Sequence, residues 1–94
     1  MRQNDFLVAL GLARRAGKLV YGYDAVAEAE DLKAIYFASD FSERAKGRLS
    51  KKAPAKTLPQ DMAALGGALG RGPVGVVGVT DKGFAGLLDS KHQD

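Results

Sequence analysis

Few residues of this 94-residue chain have the types and spacing that catalysis requires. Asp24 and Glu28 are four residues apart, which would place both carboxylates on one face of a helix, as in a general acid–base pair. No further ligand accompanies them, so a solvated helix face is the stronger interpretation. The single histidine, His92, is the third residue from the end of the sequence, a poor place for a fixed base or metal ligand. The sequence therefore predicts a protein that is not an enzyme, with no cofactor and no metal site.

The glycines of residues 66–73, GGALGRGP, raise the question of a phosphate-binding loop. Such a loop ends in Lys followed by Ser or Thr, and it connects a strand to a following helix. Here the Lys-Ser/Thr ending is missing and the segment leads into a strand-like run instead. A nucleotide site is not expected in this loop.

Basic residues are better candidates for chemistry, because Arg in particular is shaped to bind phosphate. Arg14, Arg15 and Lys18 stand together shortly before a turn at Gly22. Arg71 lies in the glycine-rich loop, where an exposed backbone without side chains permits close approach of a nucleic acid. These residues predict a surface for an anionic partner, although a single surface Arg usually has no such role.

Charge is unevenly distributed along the chain, which holds fourteen Lys and Arg against eleven Asp and Glu. Residues 41–56 carry six basic residues and one acid, whereas residues 24–31 carry four acids and no basic residue. Within the basic segment, Arg44, Arg48 and Lys51 follow i, i+4, i+7 spacing and form a basic stripe on a predicted helix. Opposed charged regions indicate an anionic partner on the basic side, with simple solvation of helix faces as the alternative.

Composition also bears on compartment. The chain has no cysteine, which excludes disulfides and thiolate metal sites and suits the cytoplasm. No apolar run approaches the roughly 20 residues of a membrane span. The N-terminal segment is interpreted as a helix of the mature fold, since Asp5 precedes its short apolar core and Arg14 and Arg15 occupy the place of a cleavage site. We expect a cytoplasmic protein that is a monomer when free.

Hydrophobic periodicity predicts helices that alternate with strands. The predicted helices cover residues 4–16, residues 23–32, a segment opened by Asp40 with Glu43 as a capping box and ended by Pro54, residues 61–69 capped from Thr57, and residues 81–88 capped by Thr80. The predicted strands cover residues 18–22, 34–39 and 74–79, with a weak one at 55–58. The glycines of the last strand indicate close packing against a neighbour. The tail, residues 89–94, is predicted to be frayed.

This alternation predicts one domain over residues 1–94, an α/β/α sandwich around a small mixed sheet. Four segments in this order then resemble the bacterial YlxQ-type proteins: LGLARRAGKLVYGYDAV, IYFASD, LGGALG and GVVGVTDKGFA. Those proteins belong to the ribosomal-protein superfamily of archaeal L-seven-Ae and eukaryotic L-thirty-e. The resemblance covers nearly the whole chain and implies a three-layer α/β/α sandwich with a four-stranded mixed sheet.

The resemblance also implies that the protein binds RNA. The best-known members of the superfamily bind kink-turns, which are sharply bent duplexes with sheared G·A pairs. It places the contacts in segments 22–28, 39–42 and 70–74. Recognition of this type reads RNA shape and backbone. Together with the basic residues, the expected RNA interface is Arg14, Arg15, Lys18, Gly22, Tyr23, Asp24, Asp40, Arg71, Gly72 and Val74, with the basic stripe as a secondary contact. Tyr23 either stacks on RNA or packs in the protein.

The sequence departs from the kink-turn pattern at its recognition positions. Kink-turn binders carry Gly-x-Asn-Glu-x-x-Lys, and the matching residues here are Gly22, Asp24, Ala25 and Glu28. Asp24 can still accept a guanine proton, but Ala25 offers no polar group and Glu28 reverses a charge that would face phosphate. We therefore expect a non-catalytic, ribosomal-protein-type RNA-binding protein that recognises structured, kink-turn-like RNA. The alternative is a protein–protein adaptor in translation or ribosome assembly that has lost this specificity.

Overall fold

The computed structural model of the protein describes residues 2–92, with side chains from Asp5 onward. Over this range the chain forms five helices and four strands. The helices are α1 (Arg2–Arg15), α2 (Tyr23–Glu28), α3 (Glu43–Leu49), α4 (Met62–Ala68) and α5 (Lys82–His92). The strands are β1 (Leu19–Tyr21), β2 (Ala34–Phe37), β3 (Ala55–Thr57) and β4 (Val76–Val79). None of these helices is long and apolar enough to cross a membrane.

The four strands form one mixed sheet in the order β1-β4-β2-β3. β4 is antiparallel to both of its neighbours, with Tyr21 and Tyr36 on either side of Val77, whereas β2 and β3 are parallel. Consequently β1, β2 and β3 all finish at the same end of the sheet, which is the end where β4 begins. We call this end of the sheet the loop edge, because the segments that follow β1 and β2 and the segment that precedes β4 all lie there.

Side chains that alternate along the strands build one core on each face of the sheet. Tyr36 and Val77 point to one face, where they pack with buried residues of α1, α4 and α5. Ile35 and Val76 point to the other face, where they pack with Val26 of α2 and with α3. The molecule is thus a three-layer α/β/α sandwich with a four-stranded mixed sheet, which confirms the fold class predicted from the sequence.

The close packing predicted at the glycines of β4 is also present. A Cβ atom on Gly78 would lie 2.7 Å from Cδ2 of Leu32. A Cβ atom on Gly75, just before β4, would collide with the ring of Phe41, which in turn stacks on Phe37 at 6.0 Å between ring centroids. Phe41 therefore covers Gly75 before α3 begins, and it is not part of that helix.

The predicted cap of α3 is wrong. The helix begins at Glu43 with Ser42 as its N-cap, whose Oγ accepts a hydrogen bond from the N–H of Ala45 (3.2 Å). Asp40 instead accepts a hydrogen bond from the N–H of Met62 (2.9 Å), at the start of α4. The chain first turns across the start of β4, so the helix starts two residues later than the capping-box pattern predicts.

The caps of the last two helices also differ from the prediction. Asp61, not Thr57, caps α4, and its Oδ1 accepts a hydrogen bond of 2.8 Å from the N–H of Ala64 in the first turn. Asp81, not Thr80, caps α5, and its Oδ2 accepts a hydrogen bond of 2.9 Å from the N–H of Phe84. In both cases a carboxylate immediately before the first helical residue satisfies the free N–H groups of the first turn.

Two helix ends differ as well. α2 stops at Glu28, four residues before the predicted end. α5 continues to His92, so the prediction of a frayed tail is wrong for residues 89–92, while residues 93–94 lie outside the described part of the chain. Asp89 forms an ion pair with Lys56 of β3, and the ring of His92 lies 6.0 Å from that of Phe6. These contacts hold the last turn against the sandwich.

Candidate nucleic-acid interface

Backbone hydrogen bonds bring the three segments named by the resemblance together at the loop edge. The N–H of Gly22 donates to the carbonyl of Val76 (3.0 Å), and the N–H of Ala38 donates to the carbonyl of Gly75 (2.9 Å). The chain that leaves β1 and the chain that leaves β2 therefore flank the chain that enters β4. Segments 22–28, 39–42 and 70–74 meet on one side of the molecule.

Gly22 makes the sharp turn from β1 into α2. Its φ is +87°, a left-handed conformation that favours glycine because it has no Cβ atom. Its carbonyl accepts the first hydrogen bond of α2, from Val26 (3.1 Å). A Cβ atom at this position would meet no atom within 4 Å, so the space above the turn is open.

The loop of residues 70–74 is held against α4 by a contact that allows only glycine. A Cβ atom on Gly66 would collide with the carbonyl of Gly72, and the carbonyl of Gly66 accepts a hydrogen bond from the N–H of Arg71 (2.9 Å). The LGGALG motif thus fixes the position of Arg71.

Two arginines from distant parts of the chain meet at this loop. The guanidinium carbon of Arg71 lies 4.7 Å from the ring centroid of Tyr21, within the range of a cation–π contact. Nη2 of Arg14, at the end of α1, lies 3.6 Å from the position that a Cβ on Gly70 would take. We call Arg14, Arg71 and Tyr21 the arginine–tyrosine cluster. Tyr21 was missed from the sequence, where it shows only as an aromatic residue at a strand end.

Arg15 and Lys18 do not lie with this cluster. On α1, Arg15 is rotated about 100° from Arg14, so the two side chains leave the helix in different directions. Lys18 precedes β1, and its carbonyl accepts a hydrogen bond from the N–H of Thr80 (3.0 Å), at the edge where β4 ends. The four basic residues predicted to act together are therefore divided among three places.

The recognition positions of the kink-turn pattern are exposed. Asp24, Ala25 and Glu28 all face solvent on α2, directly after Gly22. Tyr23 is half-buried and packs against the core beneath α2 and α3. This part of the surface presents two carboxylates and no base.

The remaining predicted residues of the loop edge have different environments. Asp40 is exposed, but its carboxylate is used at the start of α4. Gly72 is exposed. Val74 is only 5% exposed and packs in the core, so its side chain cannot contact RNA, which corrects its inclusion in the predicted interface.

The basic stripe forms a separate surface. Arg44 and Arg48 are exposed on α3, and Lys51 lies in the turn after that helix. Since α3 covers the opposite face of the sheet from α1 and α4, the sheet separates the stripe from the arginine–tyrosine cluster. A single ligand would have to pass around the loop edge to contact both.

Within residues 2–92 no three His, Asp or Glu side chains come together as a metal-binding group. The loop edge is instead a basic and aromatic surface on a three-layer α/β/α sandwich, bordered by exposed glycines and by the acids of α2.

Comparisons with known proteins find solved structures that are similar to this chain. No protein-family model matches it, and no curated protein matches it. A protein with unknown function from Bacillus halodurans is 30% identical and superposes with a TM-score of 0.87, over 95% of this chain and 97% of the other. The chain belongs to the same family as this Bacillus halodurans protein.

Proposed function

We propose that this protein is a non-catalytic RNA-binding protein of ribosomal-protein type, which acts in the cytoplasm on structured, kink-turn-like RNA. The observation that carries the proposal is the arginine–tyrosine cluster at the loop edge. Arg14 and Arg71 come from distant parts of the sequence, and they share a surface with exposed glycine backbone and an aromatic ring. Guanidinium groups form bidentate hydrogen bonds with phosphate, and an arginine on an aromatic face is pre-oriented for such a contact.

The backbone around the cluster supports recognition by shape. Gly70 and Gly72 carry no side chain, so a sugar-phosphate backbone can approach the loop closely. Gly22 lies next to β4 on the same edge and leaves open space above the turn. A bent RNA whose backbone follows this edge would contact the arginines with its phosphates, and the protein would read its shape more than its sequence.

The test compares a fluorescent kink-turn RNA with a plain duplex of equal length, by anisotropy over a series of salt concentrations. Arg14→Glu and Arg71→Glu are each expected to weaken binding by about tenfold or more, which is about 1.4 kcal/mol, and to reduce the salt slope by about 1. The matched control is Lys82→Glu, an exposed charge reversal at the start of α5, on the opposite edge of the sheet. An equal loss of affinity in all three variants would mean that the effect comes from net charge alone, and it would refute the assigned surface.

A second candidate function, a protein–protein adaptor in translation or ribosome assembly, is favoured by the exposed acids of α2. Asp24 and Glu28 lie beside Gly22 with no base among the α2 residues to offset them. Such a surface suits a basic protein segment better than RNA. Absence of measurable binding to either RNA, even at low salt, would favour the adaptor over the RNA-binding function.

A further inference from the structure

α1 has a second apolar face that no part of the described chain covers. Asp5, Val8, Leu12 and Arg15 are spaced by three, four and three residues, and on a helix they lie within an arc of about 80°. All four are exposed, with Val8 at 64% and Leu12 at 45%. We call them the outer stripe. The opposite side of the same helix packs into the core through Phe6 and Leu10.

The outer stripe continues onto α5. Leu87 is 36% exposed and, with Val8 and Leu12, lines a shallow groove of about 230 Å³ between the two helices. Lys91 and Asp5 line the same groove. Single exposed aliphatic residues are ordinary, but three that form a contiguous surface across two helices indicate an interaction site.

The order of residues in the outer stripe makes it complementary to itself. An acid stands at one end, a base at the other, and two aliphatic residues stand between them, all symmetric about the level of Leu10. If two copies of α1 lie antiparallel across a two-fold axis at that level, Asp5 faces Arg15 of the other copy and Val8 faces Leu12. We propose that the outer stripe is the contact between two copies of this chain in a symmetric, antiparallel dimer.

A small residue beside the stripe suits this arrangement: Gly11 flanks the stripe on the side away from the core. A Cβ atom on Gly11 would meet nothing within 4 Å, so the space that a second helix needs is open. Helices whose contacts are small residues approach more closely than those with large ones, which brings the aliphatic pairs into contact.

The charges favour a second copy over an unrelated partner. A two-fold interface uses the same patch twice, so every acid must find its base within that patch, and the outer stripe meets this requirement at both ends. α1 is fourteen residues long, about 21 Å, and a contact of one helix pair is at the small end of protein interfaces. We therefore expect a weak, reversible dimer that forms at concentrations on the order of 100 μM, in place of the monomer expected from the sequence.

The test is sedimentation equilibrium over a concentration series. The unmodified chain is expected to rise from the mass of one chain towards that of two. Asp5→Arg alone and Arg15→Asp alone each place like charges opposite one another at both ends, so each variant is expected to remain at the mass of one chain. Mixed together, the two variants present only opposite charges to each other, and the mixture is expected to recover the mass of two chains. Since both variants must be folded to pair, this recovery also excludes misfolding as the cause of the losses.

Arg14→Glu is the matched control, because it reverses the neighbouring charge on a different side of α1. It is expected to leave the concentration dependence of the mass unchanged. The proposal is overturned if the unmodified chain keeps the mass of one chain up to about tenfold above the expected concentration. It is equally overturned if the mixed variants do not associate, or if Arg14→Glu abolishes pairing as Arg15→Asp does.

Discussion

Asp24, Ala25 and Glu28 occupy the positions that would determine what the proposed RNA interface recognises. A carboxylate at position 24 accepts hydrogen bonds but donates none, so it can take a guanine N–H but cannot also donate as an amide does. Ala25 makes no polar contact, and Glu28 places a negative charge where a phosphate would approach. All three side chains are exposed, so none of them is required for packing.

Restoring the kink-turn pattern at these positions is predicted to strengthen kink-turn binding. The triple variant Asp24→Asn, Ala25→Glu, Glu28→Lys is expected to gain about tenfold or more in affinity, because two base contacts and one phosphate contact become available. Anisotropy with the kink-turn RNA and the plain duplex measures the gain.

The triple variant also raises the net charge by two, and Glu30→Lys, an exposed reversal just after α2, serves as the charge-matched control. An equal gain in affinity for the plain duplex, or an equal gain in the control variant, would mean that the effect comes from net charge alone. No gain at all would mean that the geometry of the loop edge differs from that of the kink-turn binders.

Single residues show which of the predicted site residues the fold brings together and which it separates. Arg71 was predicted from its place in a glycine loop, and it lies at the loop edge. Arg14 and Arg15 were predicted as a pair, yet neighbours on a helix diverge by about 100°, so only Arg14 reaches the loop. Lys18 is three residues before Tyr21, and a strand carries those three residues about 10 Å along the sheet, to its other edge.

At the scale of elements, α4 contains a pair of adjacent glycines with opposite environments. A Cβ on Gly66 would collide with the carbonyl of Gly72, whereas a Cβ on Gly67 would meet nothing within 4 Å. Replacing glycine by alanine inside a helix normally adds roughly 0.5–1 kcal/mol of stability. Forcing an atom into a closed contact costs about 1–3 kcal/mol, so at Gly66 the collision outweighs the gain.

We predict that Gly66→Ala lowers the free energy of unfolding by about 1–2 kcal/mol and that Gly67→Ala raises it by about 0.5–1 kcal/mol. Urea denaturation followed by circular dichroism measures both, and each variant is the control for the other. Because the loop must move to admit the methyl group, Gly66→Ala is also expected to weaken RNA binding through Arg71. Equal stabilisation by both substitutions would mean that the loop yields freely and is not fixed by α4.

The positions and types of the elements followed from the sequence, but three caps did not. Asp40 and Glu43 have capping-box spacing, and so the local pattern favoured a helix start at that point. The structure uses Asp40 at α4 instead, across twenty-two residues of sequence. Phe41 must also cover Gly75 before α3 can begin. Both constraints are tertiary contacts, which a pattern of three or four residues does not contain.

At the scale of the whole molecule, the alternation of helices and strands predicts the layers but not the order of the strands. β4 is the last strand in the sequence, yet it lies between β1 and β2. This insertion brings the loop before β4 between the turn at Gly22 and the segment after β2. The candidate site is thus produced by the longest-range pairing in the fold.

The two-sided core also contains a buried ionisable group. Tyr36 of β2 is 2% exposed, and its ring lies 5.2 Å from that of Phe6 in an edge-to-face contact. Burial, and secondarily the negative charge of Asp89, raises the pKa of Tyr36 to about 12, from an ordinary value of 10.0. Both effects disfavour the phenolate in the folded chain.

This pKa links the stability of the whole sandwich to pH. Below about pH 10 the tyrosine is protonated in both states and contributes no pH dependence. Between about pH 10 and 12 the unfolded chain releases the proton while the folded chain retains it, so the free energy of unfolding falls by up to about 1.4 kcal/mol per pH unit.

Tyr36→Phe removes this contribution, and urea denaturation at pH 8 and pH 11 is expected to show a smaller loss of stability in the variant than in the unmodified chain. Tyr23→Phe, which removes the hydroxyl of a half-buried tyrosine and keeps Tyr36, is expected to retain the larger loss. If Tyr36→Phe loses as much stability as the unmodified chain, Tyr36 ionises as readily in the folded chain as in the unfolded one, and the alkaline limit of the fold is set by other groups.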